Sequence, residues 1–241
     1  MKPSTLTESQ RKAALAAGIA IVAMTVAATV ANDITIGKLV VERNATETLK
    51  NIVASKTTFN IGVFSWIIIL ISDVVAAWGL YIFFRPVSKD QSLIAAWFRL
   101  IYVAMLGAAI FNLVHVHTLI HQAIPSVVET TAGLGRDVMF YLDAFDATWS
   151  ASLIVFGIHI LLVGLLALRS GYVPNIFGII LIIAFAGYSV IHISNLLFPQ
   201  YSDAMRIVGW IFLFPMLGEV ALGIWLVVQG VRKTEASGST D

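Results

Sequence analysis

The sequence predicts an all-α fold: a polytopic membrane helix bundle with six transmembrane helices and both termini cytoplasmic. Three observations lead there. Of 241 residues, 59% are hydrophobic and 12% charged, about half the charged share of a soluble domain. The apolar residues gather into six runs, each close to the roughly 20 residues that cross a hydrocarbon core. The runs also use up the chain, so residues 1–241 read as a single integral membrane domain with the lipid bilayer as its principal partner.

Taken in order, the spans are expected at about 13–31, 60–84, 92–116, 147–168, 173–197 and 207–230. Arg11 and Lys12 introduce the first, Arg85-Pro86 ends the second, and Arg232 and Lys233 close the last. The first run has 19 apolar-rich residues, longer than a usual signal core, so a retained anchor is expected over a cleaved leader. Residues 33–58 form an outer loop with a short surface helix. Asn44 caps it with Glu47 three residues on, and Leu49, Ile52 and Val53 share a face that would lie on the outer interface. His117 to Asp146 reads as a polar outer stretch, and 234–241 as a disordered tail.

Orientation follows from Lys and Arg outside the spans. With both termini inside, eight lie on inner segments and six on outer ones, and the inner turns hold theirs close to the helix ends. Trp66, Trp149 and Trp210 then fall near outer ends, and Trp78, Trp97 and Trp225 towards inner ends, as an interfacial belt would. The location expected is a cell's plasma membrane, crossed several times.

Composition also excludes chemistries. Fifteen Lys and Arg nearly balance fourteen acids, which leaves no basic field for nucleic acid. Cysteine is absent, which removes disulfides, thiol catalysis, thiolate metal sites and attached haem. Isolated serines such as Ser65, Ser72 and Ser152 have no elbow motif, and no Gly-rich phosphate loop occurs. No cofactor is expected.

Four polar residues stand out because they lie within spans: Asp73, Arg99, His159 and Glu219. Charge at that depth is costly and belongs on the bundle interior with partners. Counted from the basic inner ends, Asp73, His159 and Glu219 sit roughly 15–20 Å into the membrane, and Arg99 roughly 10 Å with a long side chain pointing towards the midplane. All four can meet in one layer. One reading makes the layer a device for helix register. The other makes it a site for a small ligand or proton, because one arginine cannot neutralise two acids. Pro215, with Gly218 and Gly223, loosens the last helix beside Glu219.

A second cluster lies at the outer end. His117 and His121 are four apart and share a helical face, and Asp143 or Asp146 could complete a zinc-like set. His115, His192 and Asn195 are nearby in depth. The leading reading is a non-enzymatic membrane protein that binds or passes a small ligand or proton. The alternatives are an intramembrane metal-dependent hydrolase using the outer His/Asp cluster, and a structural partner subunit. Six spans are few for a transporter with inverted repeats, so a homodimer is the assembly to look for.

The stretch Phe156-Gly157-Ile158-His159, Gly164, Arg169-Ser170-Gly171-Tyr172 and Pro174 resembles the bacterial family called domain of unknown function 4386. So do Arg85-Pro86-Val87 with Phe98-Arg99-Leu100, and the setting of Glu219 up to Gly230. The resemblance covers about residues 10 to 232. The resemblance implies a small six- or seven-helix protein of the bacterial inner membrane, and brings no activity, cofactor or catalytic residue.

Overall fold

A computed structural model describes residues 6–122 and 128–232, and the tail expected at 234–241 lies outside the described residues. Helix α1 (Glu8–Thr29) starts on a capping box, in which the Thr7 hydroxyl accepts from the Gln10 N–H and the Gln10 side chain accepts from the Thr7 N–H. It does not stop near 31. A π-helical segment (Val30–Ile36) and a last turn (Gly37–Leu39) carry it on. Next come α2 (Ala45–Ala54) and α3 (Lys56–Phe84). The Arg85–Ser88 turn follows, in which the Ser88 hydroxyl caps α4 (Lys89–Gln122) by accepting from the Gln91 N–H. Helix α5 (Val128–Ser170) ends at Gly171, whose φ of +70° suits only glycine without strain. Helix α6 (Asn175–Leu197) starts after Pro174, and α7 (Ser202–Met216) and α8 (Gly218–Val231) complete the chain.

Six segments are long and apolar enough to cross a membrane: Glu8–Leu39, Lys56–Phe84, Lys89–His121, Gly133–Ser170, Asn175–Leu197 and Ala204–Val231. Among the described residues there is no strand. Each spanning helix packs on its sequence neighbours, and α1 fits between α3 and α8, which closes a ring. Small residues permit the closure. A Cβ on Gly18 would lie 2.6 Å from the Gly223 carbonyl, and one on Gly79 2.7 Å from that of Ala13, so these backbones touch as packed membrane helices do. Large apolar side chains such as Phe111, Trp210 and Phe214 point outwards and are exposed, as suits a lipid-facing surface. The two ends of the described chain meet on one face, where the Arg11 guanidinium donates to the Arg232 carbonyl at 2.9 Å. This is the termini face below. On it Tyr172, between α5 and α6, donates to the Phe83 carbonyl at 2.9 Å, and burial pushes its phenol up to about 12.

The polar stretch 117–146 is helical wherever it is described, because α4 and α5 extend past the apolar runs and bury Ile120, Val138, Leu142 and Phe145. Two expectations are corrected. Helix α2 has the expected cap, with Asn44 Oδ1 accepting from the Glu47 N–H at 3.0 Å. Its buried face, however, is Thr48, Leu49 and Ile52 against α5, while Val53 is 43% exposed. Protein, not lipid, sets that face, and Thr48 belongs to it because its hydroxyl bonds both backbone groups of Val41. Trp66 is a core residue and not part of an interfacial belt. It is 2% exposed and meets Phe145 and Trp149 edge-on at 4.9 and 5.0 Å.

Candidate functional site

Arg99 is fully buried on α4, on the helical face that also carries Ala95, Ala96, Tyr102 and Leu106. The two alanines leave space for its stem. Its guanidinium spans the centre of the ring. Nε and Nη2 both donate to Asp73 Oδ1, at 2.9 and 2.6 Å, from α3. Nη1 donates to Glu219 Oε1 at 2.5 Å, from α8, and to His159 Nε2 at 3.0 Å, from α5. Nη2 also lies 3.4 Å from Met24 Sδ on α1, and the Phe156 ring sits 5.3 Å from Cζ, within cation–π range. One side chain thus ties α4 to α1, α3, α5 and α8.

The partners fix the state of His159. Guanidinium nitrogens only donate and a carbonyl oxygen only accepts. His159 Nε2 faces Arg99, so it must carry a lone pair, and Nδ1 must carry the hydrogen it donates to the Ala95 carbonyl at 2.8 Å. The imidazole is therefore assigned as neutral. Two carboxylates then face one cation. Asp73 Oδ2 is buried and makes no hydrogen bond. The Tyr102 phenol is placed to donate to the Asp73 carboxyl group, outside normal hydrogen-bond geometry at Oδ2.

Backbone geometry sets Glu219 in place. Pro215 has no N–H to offer the preceding turn, and the last span breaks at Leu217, between α7 and α8. Glu219 falls in the first turn of α8, where unpaired N–H groups favour a negative charge. Its side chain is 8% exposed against 0% for Arg99 and 1% for Asp73.

The structure brings Asp73, Arg99, His159 and Glu219 together, as the depth argument expects. It does not assemble the outer set. His117 Nδ1 bonds Asn60 Oδ1 at 2.8 Å, and His121 Nδ1 donates to the His117 carbonyl at 2.8 Å. Their rings stack with centroids 4.1 Å apart, while Asp143 and Asp146 stand exposed on α5. Among the described residues, no group of three His, Asp or Glu side chains is placed to hold a metal. His121 is thus turned back to its own helix through Nδ1. His115 stacks on Tyr141, and His192 pairs with Ser150 at 2.9 Å.

The sequence reading missed Met24, Tyr102 and Phe156. Tyr102 lies three residues after Arg99 and Phe156 three before His159, so the i±3 neighbour rule would have found both. An apolar Met24 on the first span gives no such signal.

A crevice borders the site on the side of the termini face, between α3, α4 and α5, with His159, Ser92 and Tyr81 among its walls. It has no room for a molecule the size of water.

Comparison with known proteins adds family but no chemistry. An uncharacterised protein of Archaeoglobus fulgidus is 31% identical over 178 residues, which is 73% of this chain and 85% of that protein. The likeness therefore extends to an archaeon, beyond the bacteria the sequence reading had in view. No solved structure matches. The family model described as domain of unknown function (DUF4386) matches residues 16–230, and the chain belongs to that family.

Proposed function

We propose that this protein is a proton-responsive, non-enzymatic protein of the plasma membrane, with both termini cytoplasmic, whose Arg99 cluster takes up and releases one proton. The observation that carries the reading is the convergence of Asp73 and Glu219 on a single fully buried guanidinium. Two ionised acids leave one excess negative charge in a medium that penalises it. One proton removes that charge. Acids this close share protonation and titrate as a pair.

The packing favours a proton over a small ligand. Every polar member of the layer is at most 8% exposed at its side chain or residue, and the adjoining crevice is too narrow even for water. A proton needs no cavity. His159, held neutral between Arg99 and a carbonyl, is the group that would feel the cluster's charge change first.

Infrared spectroscopy of the full-length protein in lipid tests this. At neutral pH the spectrum should contain a protonated-carboxyl stretch that shifts or disappears in both Asp73→Asn and Glu219→Gln and reverses at high pH. If both acids stay ionised throughout, with no such band at any pH the protein tolerates, the layer is an ion-pair strut and the proposal fails.

A further inference from the structure

The two acids of the layer meet Arg99 on unequal terms. Glu219 offers one oxygen to one donor, with Oε1 accepting from Nη1 at 2.5 Å. Asp73 is met by two donors, Nε at 2.9 Å and Nη2 at 2.6 Å, and both go to Oδ1. An ionised carboxylate facing that edge of a guanidinium ordinarily takes one donor on each oxygen, as one fork meets another. Here the fork closes on a single oxygen. Oδ2 is buried, and no hydrogen bond of normal geometry reaches it. A neutral acid is bound by a cation in this way: its carbonyl oxygen accepts both donors and its hydroxyl turns aside.

The surroundings divide the two acids in the same sense. The Asp73 side chain is 1% exposed and that of Glu219 8%, so burial penalises charge more at Asp73. Glu219 also stands in the first turn of α8, the end of a helix that favours a negative charge. Asp73 has no such help, because it lies in the middle of α3. The other polar group at its carboxyl is the Tyr102 phenol of α4, a hydroxyl able to accept as well as donate. With Asp73 and His159 neutral, the single cation of the layer faces a single anion.

We infer that the proton of the cluster is held on Oδ2 of Asp73, with Glu219 as the standing counter-ion of Arg99 and the Tyr102 hydroxyl as the group that positions the proton. The inference rests on the proton-binding reading of the cluster and gives the proton its place. Binding adds H⁺ to the Asp73 carboxylate, and no other covalent bond forms or breaks. While the proton is bound, Tyr102 Oη accepts from Oδ2–H. Once it leaves, the phenol hydrogen turns back to the carboxylate, and that charge-assisted bond is the stronger of the two. Tyr102 therefore favours release. The groups facing Asp73 are Arg99 and Tyr102 of α4 and Glu219 of α8, and Tyr188 of α6 interacts with it electrostatically. From α1 the layer receives Met24, and from α5 His159, both on Arg99.

The test is infrared spectroscopy of the full-length protein in lipid vesicles, made with ¹³C at the side-chain carboxyl of either aspartate or glutamate. At neutral pH the protonated-carboxyl band should move to lower wavenumber with labelled aspartate and stay in place with labelled glutamate. The shifted band should be missing from labelled Asp73→Asn protein. A band that follows the glutamate label, or divides between the two labels, overturns the assignment. Tyr102→Phe keeps the ring that packs on Phe156 at 4.8 Å. It should raise the pH of half-titration by about one unit, a tenfold tighter hold on the proton, because the ionised form loses its charge-assisted donor. A titration that does not move overturns the role of Tyr102. If Tyr102→Phe does not fold, labelling of the unaltered protein still decides where the proton sits. The absence of a protonated-carboxyl band under either label, at every pH the protein tolerates, overturns the proton-binding reading instead, which keeps the two failures apart.

Discussion

Arg99 shows how a single buried charge can organise a membrane bundle when nothing but protein can solvate it. Four of its five donors are spent on Asp73, Glu219 and His159, the fifth faces Met24 Sδ, and the Phe156 ring closes the remaining side. Planarity matters, because a lysine ammonium could not reach three helices from one stem in this fixed fork. Removing the cation alone strands two acids in a dry layer. Arg99→Gln should therefore lower stability in detergent by about 3–5 kcal/mol, as uncompensated buried charges do. Combining it with Asp73→Asn and Glu219→Gln should restore most of that loss, because the neutral trio has no charge left to solvate. Chemical denaturation of the single and triple variants checks this, and an unaffected Arg99→Gln protein would show that the ion pairs do not hold the helices.

At the scale of elements, small residues decide which helices touch and polar ones decide where they bend. Gly18 of α1 lies against Gly223 and Val227 of α8, whereas Gly209 of α7 faces open space. Gly18→Ala must push two backbones apart and should cost about 1–3 kcal/mol, the usual toll of overpacking. Gly209→Ala should be neutral or slightly stabilising through helix propensity, and thermal unfolding of the pair gives the comparison. If both changes behave alike, the closure of α1 on α8 is not set by backbone contact. Part of this was legible in advance. Pro215 with Gly218 announced a break beside Glu219, and Asn44 with Glu47 announced the cap of α2, because both rest on local backbone chemistry. The burial of Trp66 and the outward turn of Val53 were not legible. Both depend on how α5 extends beyond the apolar run to meet α2 and α3, and hydropathy has no term for a helix that leaves the membrane and remains helical.

The whole molecule carries the same division between what depth determines and what contact determines. Asp73, His159 and Glu219 could be placed in one layer by counting residues from basic helix ends, since a rise of about 1.5 Å per residue turns sequence into depth. Counting could not say that the ring would be closed by α1 against α8, nor that α1 would bring Met24 to the guanidinium. It also could not show that His117 would turn to Asn60 and His121 back to its own helix. Sidedness is a further matter, because the bundle is the same molecule whichever face looks inward, and only the distribution of basic residues distinguishes the two. Arg85, Lys89 and Arg169 sit at short turns on the termini face, where the positive-inside bias is strongest, while Lys38, Arg43, Lys50 and Lys56 share one long segment on the other. The absence of cysteine makes the test clean. In intact cells an impermeant thiol reagent should label Glu47→Cys at the start of α2, and should label Lys89→Cys only after the membrane is opened. The reverse pattern would turn the bundle over, while leaving the Arg99 layer and its charge imbalance as they are.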